Sequence, residues 1–142
     1  MSPSLVVEFT KMHGAGNDFV VLDNRWYRFS PEELADLAET WCPRRFGVGG
    51  DGLLALDEAE ADDAAYRMRY VNADGSWASM CGNGARCLAH FALQSDFEGP
   101  ELAFETDAGR YHAAVSDDPN RVRLFVPPAE ALDLDVAVDA VT

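Results

Sequence analysis

The sequence predicts an α+β domain whose strands wrap one buried helix. Three observations carry that expectation. Short apolar runs of strand length recur between glycine-, asparagine- and aspartate-rich turns. One segment has capping residues and another is apolar around most of a helical wheel. At 142 residues, 48% of them hydrophobic, the chain is long enough to bury a core of its own.

In order along the chain, Leu5 to Phe9 and Phe19 to Asp23 read as short strands flanking the turn His13-Gly14-Ala15-Gly16-Asn17-Asp18. Ser30 is placed as an N-cap, with Pro31 at the first helical position and Glu33 completing a capping box. This helix should run to about Trp41 and stop before Pro43. Phe46 to Gly52 is a glycine-rich loop, followed by a strand at Leu53 to Leu56 and an acidic turn at Asp57 to Asp63. Tyr66 to Val71 alternates large apolar residues with Arg67 and Arg69, the pattern of a strand with one wet face, and turns at Asn72-Ala73-Asp74-Gly75.

Ala85 to Gln94 should be a helix buried on nearly all sides. Leu102 to Glu105, Tyr111 to Val115 and Val122 to Val126 read as three further strands. Pro127-Pro128 ends the last of them, so residues 1–126 form the expected domain and 127–142 a connector. The expected order is ββ-α-ββ-α-βββ, without internal repeat or low-complexity tract.

The formal net charge is −14, with 25 acidic against 11 basic residues. Such a chain repels nucleic acid and anionic membrane, so neither is expected as a partner. The basic residues are a single lysine and ten arginines, and Asp outnumbers Glu by 15 to 10. That bias fits adaptation to high salt, where self-repulsion is screened, and equally an acidic protein from a GC-rich gene. No apolar run approaches a membrane span, and the first residues lack the charge and hydropathy pattern of a leader, which makes a cytoplasmic location the expectation.

Three cysteines, Cys42, Cys81 and Cys87, argue against a disulfide framework. Cys81 and Cys87 would lie about 9 Å apart along a helix, too far to bridge.

The stretch Met80-Cys81-Gly82-Asn83-Gly84-Ala85-Arg86-Cys87 carries the chemistry. A helix N-terminus stabilises a thiolate through its unpaired N–H groups and macrodipole, and the same groups attract a ligand carboxylate. Gly82 and Gly84 leave those donors uncovered, and Asn83 adds an amide between them. A lone cysteine before a turn reads first as a small buried hydrophobe, but the flanking glycines and amide favour a site. Cys87 and Cys42 read as packing residues, and His90 as a satisfied core histidine. A zinc reading of Cys42, Cys81, Cys87 and His90 matches no usual ligand spacing, and no metal is expected. Neither GVGGDG nor HGAGND is followed by the Gly-Lys-Ser/Thr of a phosphate loop.

KMHGAGNDFVVLD (Lys11 to Asp23), RRFGVGGDGLL (Arg44 to Leu54) and YVNADGSWASMCGNGARC (Tyr70 to Cys87) together resemble the amino-terminal half of the diaminopimelate epimerase family. The resemblance implies a mixed, strongly curved sheet around a central helix and a cofactor-independent amino-acid epimerase of lysine and peptidoglycan precursor synthesis. Cys81 matches the first of the family's two catalytic cysteines. Asn17 and Asn72 match residues binding the substrate's amino and carboxylate groups, and Gly82 and Asn83 match positions that hold a substrate carboxylate. Gly52 departs from members with glutamine there, so any side-chain contact from that position is absent.

Inverting a carbon requires one group to remove its proton and another to deliver one to the opposite face. In the family the second cysteine sits in a second lobe, whose motif this sequence lacks. The resemblance therefore implies a first lobe that is inactive alone and acts on a small amino-acid substrate. Its partner would be a second lobe, covalent or separate, and a homodimer of first lobes is conceivable. Proline racemase-like proteins usually carry histidine where Asn83 stands, and phenazine-type isomerases lack the cysteine, so CGNG favours the diaminopimelate enzyme. A racemase of another amino acid and a non-catalytic, self-associating half-domain remain the alternatives.

Overall fold

The computed structural model describes residues 5–118 and 120–126, and the expected connector 127–142 lies outside the described residues. Eight strands form one sheet: β1 (Thr10–Gly14), β2 (Asn17–Asp23), β3 (Gly52–Asp57), β4 (Tyr66–Asn72), β5 (Trp77–Ala78), β6 (Glu101–Thr106), β7 (Gly109–Val115) and β8 (Val122–Phe125). Three helices join them: α1 (Asn24–Tyr27), α2 (Pro31–Trp41) and α3 (Gly82–Gln94). The sheet order is β1-β2-β3-β4-β6-β7-β8, with β5 paired to β4. The β2–β3 and β4–β6 pairs are parallel and the rest antiparallel. Each parallel pair needs a crossover longer than a tight turn; α1 and α2 provide the first, and β5 and α3 lie within the second.

The sheet curls because it must cover α3. That helix packs against β1, β2, β3, β4, β7 and β8, so both ends of the strand order reach it. Its buried residues are Gly84, Ala85, Cys87, Leu88, Ala89 and Ala92, the small ones letting strands approach closely. Leu88 meets Phe19, Val21, Leu54, Leu56, Tyr66 and Phe104 in one core cluster. A second cluster lies on the sheet's other face, where Leu34, Ala38 and Cys42 pack on Val20, Leu22, Leu53, Ala55 and Val71. The two inner strands β2 and β3 are therefore buried on both faces, which explains why they read as continuous apolar runs without alternation.

The α2 start follows its sequence. Ser30 accepts from the Glu33 N–H at 3.2 Å, and the Glu33 carboxylate accepts from the Ser30 N–H at 3.0 Å. Ser30→Ala should cost about 1 kcal/mol in urea-induced unfolding, the usual loss of an N-cap; an unchanged midpoint would show that the cap is redundant.

Four expectations are corrected. Leu5 to Phe9 is not a strand. The first strand is Thr10–Gly14 and the second starts at Asn17, so both run into the stretch His13 to Asp18 read as a turn, because the hairpin closes with only two residues, Ala15 and Gly16. Both take positive φ, 53° and 84°, so the reversal is the tight turn that matches strand twist, and Gly14 pairs directly with Asn17. Helix α3 starts at Gly82 rather than Ala85, because the Cys81 side chain caps it. His90 is only half-buried, lining an open cleft between β1 and β8 instead of sitting in the core. The short elements α1 and β5 have too few residues to leave a periodic signal.

Candidate active site

Cys81 sits at the N-cap of α3, half-buried, with extended backbone (φ −143°, ψ 117°). Its sulfur accepts from the Gly84 N–H at 3.4 Å, doing the work usually given to a serine or aspartate oxygen. Among the described residues no partner takes the N–H groups of Gly82 and Asn83. The helix entrance therefore offers donors beside a thiol.

The two glycines differ in role. A Cβ on Gly82 would meet nothing nearer than Arg86 at 3.8 Å and Leu124 at 3.9 Å, ordinary contact that leaves room for it. A Cβ on Gly84 would stand 3.0 Å from Leu54 Cδ2. Gly84 is thus a packing glycine that seats α3 on β3, and only Gly82 fits the expectation of an uncovered amide. Gly14 serves a similar purpose in the hairpin, where a Cβ would lie 3.2 Å from the Asn83 side chain and backbone.

That close approach brings the hairpin to the helix entrance. The Cys81 thiol donates to Asn17 Oδ1 at 3.8 Å, and Asn83 Nδ2 donates to the same oxygen at 3.3 Å. Arg86 donates in turn to Asn83 Oδ1. Cys81, Asn17 and Asn83, far apart in sequence, are one hydrogen-bonded group.

Asn72 stands apart from it. The residue ends β4 opposite Gly52, and its amide donates to Ser76 Oγ at 3.1 Å within the following turn. Its neighbour Ala73 donates its N–H to the Asp51 carbonyl at 3.3 Å. Tyr70, a residue sequence reasoning missed, lies near enough to Cys81 to feel its charge. Burial pushes its phenol pKa up, and the neighbouring Cys81 pushes it the same way. Its alternate position in β4 could have suggested it, since residues i and i+2 share a face.

The sequence reading also missed an ion network under Asn17. Asp51 accepts from Asn17 Nδ2 at 2.6 Å and from the Asp18 N–H at 3.1 Å, while Arg44 donates to Asp51 at 3.0 Å and to Asp18 at 2.8 and 3.0 Å. Lys11 pairs with Asp18 at 2.9 Å. Hydrogen bonds from Arg44 and then from Lys11 hold the Asp18 carboxyl well below the usual carboxylate range. The motif spellings GND and GGDG contained both aspartates, but only the fold shows that they meet.

The other thiols are structural. Cys42 caps α2 at 2% exposure and Cys87 lies inside α3 at 4%. Burial pushes the Cys42 thiol pKa up and takes Cys87 to about 11, despite Arg86 pulling the other way. Among the described residues no cluster of three or more His, Cys, Asp or Glu side chains could hold a metal ion, and no helix is long and apolar enough to cross a membrane.

Residues 9–130 match the family model described as diaminopimelate epimerase. The diaminopimelate epimerase of Carboxydothermus hydrogenoformans is 41% identical over 137 residues, covering 94% of this chain and 49% of its own. That of Moorella thermoacetica is 47% identical over 104 residues, covering 72% and 36%. The chain spans about half the length of the curated relatives it matches, or less. Among solved structures, a phenazine biosynthesis protein of the PhzF family from Bacillus anthracis superposes with TM-score 0.59 at 22% identity, over 82% of this chain and 37% of that one. A probable proline racemase from Agrobacterium radiobacter gives TM-score 0.57 at 20% identity, over 84% and 41%. Those two likenesses are of fold alone, whereas the sequence matches over most of the chain are specific: this chain belongs to the diaminopimelate epimerase family.

Proposed function

We propose that the chain supplies one catalytic face for the epimerisation of LL-diaminopimelate to meso-diaminopimelate, without a cofactor. The observation that carries this reading is the half-buried thiol of Cys81 at a helix N-cap, beside the Asn17 amide and two N–H groups that have no partner among the described residues. In this mechanism the substrate α-carboxylate sits on the Gly82 and Asn83 N–H groups, where dipole and donors also stabilise charge that builds on the carboxylate as the α-proton leaves. Asn17 and Asn72 take the remaining polar groups of the substrate. Cys81, as thiolate, accepts the α-proton from one face and becomes a thiol; a thiol opposite delivers its proton to the other face and becomes the thiolate. The reverse direction exchanges the roles, so protons balance without any redox step.

Cys42 and Cys87, 2% and 4% exposed, are too buried to face a substrate at the helix entrance, and in this reading the second base comes from another lobe. The exposed Phe46 and Val48, on the loop that carries Arg44, give that lobe an apolar edge to cover.

Solvent-deuterium incorporation at the α-carbon of diaminopimelate tests the reading. The chain alone should give negligible exchange, and exchange should appear when a second lobe from a full-length relative is added. Full-rate inversion by the chain alone would refute the single-lobe assignment. Exchange with another amino acid but not with diaminopimelate would reassign the substrate.

A further inference from the structure

The hydrogen bonds around Asn17 have a fixed direction. Asp51 is an acceptor only, so the Asn17 atom that meets its carboxylate at 2.6 Å must be the NH2 nitrogen. At the other end Arg86 is a donor only, so it must meet the Asn83 oxygen, and Asn83 is left to offer its NH2 to Asn17. Both amides are thereby oriented from their outer ends, by a carboxylate on one side and a guanidinium on the other. Arg44 holds the Asp51 carboxylate in turn, and the Asp51 N–H donates to the Asp18 carbonyl at 2.8 Å, fixing the loop to the start of β2.

We infer that Asp51 is a positioning residue: it locks the Asn17 amide so that only the acceptor oxygen Oδ1 faces Cys81 and the substrate. This rests on the epimerase reading and sharpens it. An acceptor at that place suits the substrate's ammonium group and cannot bind its carboxylate. While Cys81 is a thiol, its S–H uses one lone pair of Oδ1; once the sulfur is a thiolate that lone pair is released to an ammonium N–H. The lock also keeps the Asn17 NH2 from turning to the sulfur, where it would stabilise the anion and compete with substrate for it.

The test uses the chain itself and requires no turnover, so its failure is separable from failure of the epimerase assignment. In the unaltered chain, labelled with nitrogen-15, one Asn17 side-chain amide proton should be shifted downfield and protected from exchange. A solvent-averaged amide would overturn the inference, whatever any variant does. In Asp51→Ala that shift and protection should vanish, and with only the weaker Asn83 contact left to hold the Asn17 amide, alkylation of Cys81 by iodoacetamide at neutral pH should speed up roughly 2- to 10-fold as the NH2 turns to the sulfur for part of the time. Asp51→Asn keeps an oxygen for Asn17 Nδ2 but gives up the charge facing Arg44. It should retain the protected amide and an alkylation rate within about twofold of the original. Unchanged alkylation in Asp51→Ala, or equal behaviour of the two variants, would assign Asp51 to loop stability alone.

Discussion

Replacing Cys81 with serine should abolish α-proton exchange while leaving the fold intact or slightly firmer. The two halves of that result have different causes. A serine hydroxyl at the N-cap accepts from the Gly84 N–H at least as well as sulfur does at 3.4 Å, and serine ranks among the best residues for this position. Unfolding free energy should therefore stay within about 1 kcal/mol of the original or rise. The hydroxyl is a far weaker acid than a thiol and forms almost no anion near neutral pH. Removing one positioned acid–base group costs about 10²- to 10⁴-fold. The measurement is solvent-deuterium incorporation into diaminopimelate by the chain combined with a second lobe, with thermal unfolding run in parallel. Residual exchange within tenfold of the original would remove Cys81 from the chemistry. A companion readout needs only the chain: iodoacetamide near pH 7 should give one adduct, on Cys81. Cys42 and Cys87 are 2% and 4% exposed, and burial raises both thiol pKa values, Cys87 to about 11. Cysteine reactivity follows thiolate fraction and access, and those two have little of either.

Much of this was legible in the sequence because the relevant interactions are local. The α2 capping box involves residues three apart, and β4 announces itself through Arg67 and Arg69 alternating with buried Tyr66, Met68 and Tyr70. The helix entrance at Cys81 is likewise a contiguous signal. What could not be read is what the curl of the sheet brings together. Asn17 reaches Cys81 across 64 residues, and Asp51 reaches Asn17 across 34. Neither separation has a periodicity. The β1 error has the same origin: Thr10 to Gly14 is mostly polar and mostly exposed, and it is a strand because β2 beside it supplies backbone partners. Propensity favoured the more apolar Leu5 to Phe9, which has no partner strand among the described residues. The two glycines of CGNG looked equivalent because sequence shows that a side chain is missing, not what stands in the space it leaves.

Gly52 makes the same point at larger energetic scale, and Gly52→Gln is expected to be among the most destabilising single changes near the site. The family resemblance implies glutamine at this position in some members, so the substitution looks tolerable from sequence. The environment here excludes it: a Cβ on Gly52 would stand 2.7 Å from Tyr70 Cε2 and 2.7 Å from the Val71 carbonyl oxygen. The Tyr70 ring cannot swing clear at low cost, because it is 9% exposed and packs edge-on against Phe19, with ring centroids 5.8 Å apart. The Val71 oxygen is backbone and belongs to the β3–β4 ladder, in which Gly52 pairs with Asn72 and Leu53 with Val71. Relief must come from moving β3 and β4, whose Leu53, Leu54 and Val71 are fully buried. Overpacking of this kind costs roughly 2–3 kcal/mol, a fall in Tm on the order of 6–12 °C for a chain of this size. Because Asn72 and Asp51 both adjoin the displaced backbone, the loss of α-proton exchange should exceed what the stability change alone explains. Gly82→Ala provides the contrast. Its Cβ would make only ordinary contact and its backbone is helical, so stability should be unchanged or rise by up to about 1 kcal/mol. Calorimetric scans of the two variants side by side decide the matter. Equal Tm values would mean that β3 and β4 can part locally to admit a side chain at position 52.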